Sequence, residues 1–226
     1  MSSRLGHPRL HLRATDSTNE RARVLARGGA PHGTLVTASE QSAGRGRQGR
    51  RWSAPAGSAL LMSLVLRDPP RLTPLAAAVA VAVVAGETTQ IKWPNDVQRG
   101  GRKLAGILVE GRPQEGWAVL GIGVNVAVRL ADLPPELHDT AATMGLEPGD
   151  VERVLLSLLD ALGEWLTAGE EEILGAWRAR DALRGHEVRW AGGTGRAAGV
   201  DDDGRLLVEL ASGTTALDAG EVHLLR

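Results

Sequence analysis

Among its 226 residues the chain has no cysteine, no phenylalanine and no tyrosine, and it carries only two lysines and three asparagines. Without cysteine there is no disulfide and no thiolate metal site. Without Phe or Tyr the aromatics are six tryptophans, a thin supply of platforms for stacking single-stranded bases. An excess of one charge is also missing: the formal net charge is −1, so no global basic field points to nucleic acid. The N-terminal MSSRLGHPRL lacks the apolar core of a signal peptide. The alanine-rich run Leu75 to Ala85 falls short of the roughly 20 residues that span a bilayer. The expectation is a soluble, cytoplasmic protein with no membrane association, long enough for one good core and a small second module.

The scarce residues are not scattered. Both lysines, Lys92 and Lys103, fall in the stretch IKWPNDVQRGGRKLAGILVE, Ile91 to Glu110, while the chain holds 24 arginines. A composition drifted toward Arg, Ala and Gly keeps Lys where a compact, flexible point charge is needed rather than a planar fork. It keeps Asn, here Asn19, Asn95 and Asn125, where donor and acceptor must share one short amide.

Read in order, His7–Leu12 is a short strand, and Ser17 with Glu20 fits a capping box opening a helix to about Arg27. Thr34–Ala38 is a buried strand. It runs into the loop Ser39–Trp52, SEQSAGRGRQGRRW, whose glycines free the backbone to approach a ligand and whose arginines fit carboxylate or phosphate. The loop's GxGxxG opens no helix, so a dinucleotide fingerprint does not fit. Ser58–Leu66 reads as a strand buried on both faces. Thr73 as N-cap, with Pro74 following, starts a helix that Gly86 ends. Gln90–Trp93 is a strand, Asn95–Arg102 a turn, and Leu104–Glu110 and Trp117–Val126 a strand pair. In the second of these, Gly121 and Gly123 suggest a close backbone approach. Asp150 caps a long amphipathic helix, and a further helix spans about Glu170–Ala182. From Arg184 onward short strands alternate with turns, including a hairpin signal at Asp203-Gly204. Two domains are expected, residues 1–182 and 183–226.

Together DSTNE, EQSAGRGRQGRRW, KWPNDV, GRKLAGILVE and GIGVNV resemble the biotin–protein ligase family, also called biotin–[acetyl-CoA-carboxylase] ligase. The match covers roughly residues 10–128, and the closing GEVHLL is similar to the end of that family's C-terminal module. The resemblance implies an α+β fold: a mixed β-sheet with helices on one side, like the class II aminoacyl-tRNA synthetase catalytic domain, plus a small C-terminal SH3-like β-barrel. It implies an AMP-forming acid–amino-acid ligase. Biotin and MgATP give biotinyl-5′-AMP and pyrophosphate, and a lysine of a biotin carboxyl carrier protein then takes the biotin. ATP and Mg2+ are the expected companions, with no tightly bound prosthetic group and with monomer and homodimer both open.

By match to the family's motifs, Ser17, Thr18, Asn19, Gln41 and Gly106 line the biotin site. Gly44, Arg45, Gly46 and Arg47 form the loop over biotin and phosphate, and Lys103 reaches the biotin carboxylate and the α-phosphate. Trp52, Asn95, Asp96 and Asn125 fall to the nucleotide, Asp96 also near metal or ribose, with Trp52 either packing the loop or touching adenine. The chemistry asks for such groups. A carboxylate attacking an α-phosphate brings two anions together, and Arg45, Arg47 and Lys103 supply fixed counter-charge. The carboxylate is already ionised at neutral pH, so no general base is nominated. The loop departs from the family at Gln48, where others often carry a basic residue. Many bacterial relatives carry an N-terminal winged-helix DNA-binding domain. The first motif here starts at Asp16, so no specific DNA binding is expected. The rival readings are a lipoate or octanoate–protein ligase of the same superfamily, a non-catalytic nucleic-acid binder using the Arg-rich loop, and an interaction module built on the C-terminal strands.

Overall fold

The computed structural model describes residues 5–112, 115–218, 220 and 222–225. Residues 1–4 of the N-terminal reading, and Glu221 of the final motif, lie outside them. Seven strands form the main sheet: β1 (Arg9–Leu12), β2 (Leu35–Ala38), β3 (Ala59–Arg67), β4 (Thr89–Lys92), β5 (Asp96–Arg99), β6 (Arg102–Arg112) and β7 (Trp117–Asn125). Their order is β1-β2-β3-β7-β6-β5-β4. β1 and β2 run parallel and the other neighbours antiparallel, so the sheet is mixed as expected.

β3 is buried along nearly its whole length, and a strand buried on both faces needs cover on both. Leu60, Met62, Leu64 and Leu66 point into the large core shared with α2 (Thr73–Ala85), α3 (Val151–Trp165) and α4 (Glu170–Arg178). Val65 points the other way, toward Val36, Val119 and the Ala22 and Ala26 of α1 (Thr18–Arg27). The helices thus lie on both faces, which corrects the expectation of helices on one side. α2 is apolar nearly all round because it is packed between the sheet and the outer helices α3 and α4.

Local expectations hold with five exceptions. Asp150 stands at the N-cap of α3 without a side-chain cap bond, because its carboxylate is taken by the Glu147 N–H and Arg153. Ser17 stands at the N-cap of α1 without a side-chain cap bond. The capping box does not form, because Glu20 is drawn instead to Arg23 and Arg45. Helix α2 starts at Thr73 itself, after Leu72. The supposed turn Asn95–Arg102 contains β5, a strand whose polar residues sit between β4 and β6. Helix α4 stops at Arg178, short of Ala182, because the next residues leave to pair with β4: Ile91 N–H donates to Arg180 O at 2.7 Å, and Ala182 N–H to Ile91 O at 2.9 Å.

The C-terminal strands are β8 (Glu187–Trp190), β9 (Gly193–Val200), β10 (Leu206–Leu210), β11 (Gly213–Leu217) and β12 (His223–Leu224). They form a second, wholly antiparallel sheet in the order β11-β10-β9-β8-β12. It is open, and the expected SH3-like barrel is not there. A barrel closes only when its edge strands pair. The edges here are β11 and a β12 of two residues, and among the described residues no ladder joins them. Closure is also unneeded for burial. Val188, Ala197, Val200, Leu206 and Val208 join the same core cluster as β3 and α2, so the main body covers the face that a barrel would have turned inward.

Candidate active site

The functional cleft lies on the α1 face of the sheet, where the helix leaves the central strands uncovered. Gly121 and Gly123 of β7 make this possible. A Cβ on Gly121 would stand 2.0 Å from Asn19 Oδ1, and one on Gly123 would stand 2.6 Å from Trp52 Cε2. Two side chains therefore lie flat on bare backbone, and the predicted close approach has its occupants.

Two cavities abut there. One of about 50 Å³ is lined by Ser17, Thr18, Asn19, Gln41, Arg45 and Gly106 among others. The second, of about 460 Å³, is lined by Arg47, Lys92, Asp96 and Asn125 among others. Gly46, Trp52, Asn95 and Lys103 border both.

The small cavity is floored by a chain of hydrogen bonds. Ser63 Oγ donates to Thr18 Oγ1 (2.8 Å) and lies 2.6 Å from Asn19 Oδ1. Gln41 Oε1 accepts from the Thr18 N–H (2.7 Å) and lies 3.1 Å from the Thr18 hydroxyl, which turns the Gln41 amide N–H groups away from α1. Ser63 was not singled out in the sequence, although a lone serine inside SALLMSLVL is a visible signal. Arg45 reaches across the cavity mouth to Glu20 (3.1 Å) and Glu110 (3.3 Å), and Asn19 Nδ2 donates to Glu110 at 3.0 Å. Neither carboxylate was expected at the cleft, Glu20 being expected only in the capping box. Asp16 is held far below the ordinary carboxylate range, first by hydrogen bonds from Arg21 and then by the Ser17 N–H, so α1 begins on a fixed negative charge.

Lys103 is locked by its backbone. Its N–H donates to Thr140 O (2.7 Å), and its carbonyl accepts from Ala142 N–H (2.8 Å). Its ammonium lies 2.7 Å from Asp96 Oδ1 and 5.7 Å from the Trp52 ring centroid, within cation–π range. Asn95 Nδ2 donates to Ile107 O (2.7 Å) and Asn125 Nδ2 to Ala142 O (2.9 Å), so both amides brace the cleft walls. Gly44 lines neither cavity. Its carbonyl accepts the Trp52 N–H at 3.0 Å and closes the base of the loop.

Lys92 ends β4 but is not a solvated edge lysine. The far edge of β4 is covered by residues 180–182, and the side chain enters the large cavity. Burial pushes its ammonium pKa down against the pull of Asp96, with Lys103 and Arg50 lowering it further. Arg47 is likewise lowered by burial, with Asp96 opposing. Val222, just before β12, and His223 of β12 also line this cavity. Among the described residues no three His, Asp or Glu side chains converge to cage a metal. Two carboxylates, Asp96 and Asp139, line the large cavity; a Mg2+ carried on phosphates is held by one or two.

The family model described as "Biotin/lipoate A/B protein ligase family" matches residues 12–126, and that described as "Biotin protein ligase C terminal domain" matches residues 191–225. The bifunctional ligase/repressor BirA of Bacillus spizizenii is 34% identical over 97% of this chain and 75% of its own length. The biotin–[acetyl-CoA-carboxylase] ligase of Paracoccus denitrificans is 36% identical over 93% of this chain and 98% of its own. Among solved structures, the biotin protein ligase from Aquifex aeolicus in complex with biotin and ATP matches with a TM-score of 0.83 at 30% identity, covering 97% of this chain and 99% of that one.

Proposed function

We propose a residue-by-residue account of catalysis for this chain, which belongs to the biotin–protein ligase family. The activity is ATP-dependent biotinylation: biotin and ATP form biotinyl-5′-AMP, and the biotinyl group passes to an acceptor protein of the biotin carboxyl carrier type. The observation that carries the assignment of roles is the pair of abutting cavities with Lys103 in their common wall.

In this reading the small cavity takes biotin. Its ureido ring offers one carbonyl acceptor and two N–H donors, and Ser17, Thr18, Asn19 and Gln41 offer the complementary set with little water present. Biotin's carboxylate then points along the Trp52 ring toward Lys103. The large cavity takes ATP, with Arg47 and Lys92 near the phosphates and Asn95, Asn125 and Trp52 along the nucleotide. Mg2+ would ride on the phosphates against Asp96 and add positive charge there. At the junction the carboxylate oxygen attacks the α-phosphorus and pyrophosphate leaves. Lys103 and Arg45 face the two anions as they meet, and charge fixed in advance stabilises that transition state most. The glycine-flanked loop bearing Arg45 and Arg47 keeps water from the mixed anhydride until the acceptor lysine arrives. Residues 1–182 would hold this chemistry, with residues 183–226 closing the nucleotide side.

Pyrophosphate release in the presence of ATP and biotin, lipoate or octanoate tests the reading. Release with biotin alone is expected, and release that needs lipoate or octanoate instead overturns it.

A further inference from the structure

Trp93, in the turn that carries Lys92, Asn95 and Asp96, has a role separate from theirs. Its ring is buried, 2% exposed, and its indole N–H donates to Gly204 O at 3.0 Å. That bond spans 111 residues of sequence and joins the two sheets. Gly204 sits in the β9–β10 hairpin turn, Asp201 to Arg205, which is tightly tied. Asp201 Oδ1 accepts the N–H groups of Asp203 (3.0 Å) and Arg205 (2.9 Å), and Asp201 Oδ2 accepts Arg205 Nε (2.7 Å). Outside the turn, Arg178 donates to Val200 O (3.1 and 2.8 Å), and Arg71 pairs with both Asp203 and Glu170. The hairpin is therefore a rigid rest. The tryptophan resting on it borders the large cavity itself, between Lys92 before it and Pro94, Asn95 and Asp96 after it, and its indole N–H is committed to Gly204.

We propose that Trp93 is a positioning residue for the nucleotide half of the reaction. By hydrogen-bonding the Gly204 carbonyl of the C-terminal sheet, it sets the height of the Lys92–Asp96 turn over the ATP cavity. The inference rests on the assignment of that cavity to ATP. Lys92, Pro94 and Asp96 line only the large cavity, and Asn95, which borders both, has its own anchor on Ile107 O at 2.7 Å, so the effect falls chiefly on ATP. A neutral buried hydrogen bond holds a group in place only modestly, but its loss also strands a buried carbonyl. A small displacement of charged groups at a reacting centre is in turn expensive.

The test is Trp93→Phe, which keeps an aromatic ring and deletes the donor, together with Asp201→Ala, which loosens the rest from the other side. Trp177→Phe is the control: Trp177 is fully buried in the same core, and its indole N–H has no partner among the described residues. Biotin affinity by calorimetry, KM for ATP and the single-turnover rate of adenylate formation are measured on all four proteins. Expected is a rise in KM for ATP of about tenfold for Trp93→Phe, a smaller rise for Asp201→Ala, unchanged biotin affinity in both, and wild-type ATP kinetics for Trp177→Phe whatever its melting temperature. Equal losses in biotin and ATP binding, or a Trp177→Phe variant that behaves like Trp93→Phe, would reduce Trp93 to a structural residue and overturn the inference. Wild-type protein that forms no adenylate from biotin and ATP overturns the functional reading, and this inference with it.

Discussion

At the scale of the residue, the question is which lysine neutralises the reacting anions. Lys103 borders both cavities, whereas Lys92 borders only the larger one. Lys103→Ala is expected to slow adenylation by about 3 kcal/mol, roughly 10²-fold, as loss of a transition-state charge donor does. Lys103→Arg should not recover the wild-type rate. The Lys103 side chain packs 3.2 Å from where a Gly106 Cβ would be, and a planar fork does not fold into the place of a point charge. Lys92→Ala should chiefly raise KM for ATP, and single-turnover rates that fall further for Lys92→Ala than for Lys103→Ala would reverse the two roles. Glu110 gives a prediction of the opposite sign. Its carboxylate competes with biotin's for Arg45, so Glu110→Gln should tighten biotin binding about two- to fivefold, since exposed ion pairs are worth only about 0–1 kcal/mol. A Gln can still accept from Asn19. Weaker biotin binding by calorimetry would mean that Glu110 supports Arg45 rather than holding it away. The scarcity of lysine and asparagine made Lys103, Asn95 and Asn125 legible in the sequence. Glu20 and Glu110 were not, because two of 27 acidic residues carry no compositional mark, and only the fold brings them to Arg45.

At the scale of the element, the cleft depends on two strands with bare backbone. β6 and β7 pair Gly106 with Gly123, and the Trp52 ring lies over both. Gly123→Ala puts a methyl 2.6 Å from that ring, so the indole must lift and take the loop behind it. Adenylate formation should fall by about 10²-fold, the usual consequence of misplacing a reacting group by an ångström. The melting temperature should change little, because Trp52 belongs to a peripheral cluster rather than the main core. A variant with normal rate would show that the ring moves without cost. Elements of this kind were readable wherever burial set the pattern: β3 announced itself by an apolar run that only Ser63 interrupts, and Gly121 and Gly123 by their place in a strand. β5 was not, since Asp96-Val-Gln-Arg99 has a turn-like composition and becomes a strand only because β4 and β6 flank it. The barrel was misread for a related reason. Five short strands with a hairpin signal look alike whether they close on themselves or lie against a neighbour, and the choice is made by a core contributed from far along the chain.

At the scale of the whole molecule, that shared core predicts that the two sheets unfold as one cooperative unit, and a link between them passes through Asp181. This residue bridges β4 at Ile91, and its Oδ1 accepts the Leu183 N–H at 2.8 Å. Burial pushes its carboxyl above the ordinary value of 3.8, against backbone hydrogen bonds from Leu183 and Arg184 and the charges of Arg184 and His186. The sign follows from linkage. The folded state holds the Asp181 proton more tightly than the unfolded chain does, so its contribution to stability is complete below pH 3.8 and is lost as pH rises through the higher folded value. At neutral pH the folded chain bears a cost, because the unfolded chain ionises freely there while burial disfavours the charge in the folded one. Asp181→Asn keeps the acceptor for Leu183 and removes the charge. Its urea midpoint should therefore exceed the wild type's at neutral pH, and the advantage should shrink on acidification and vanish below pH 3.8. Because the residue sits where the sheets meet a common core, the shift should move a single transition seen alike by circular dichroism and by tryptophan fluorescence. Two separated transitions, with only one displaced, would show that the C-terminal sheet unfolds on its own. A lower midpoint at neutral pH would show that ionised Asp181 is held by more than its burial indicates.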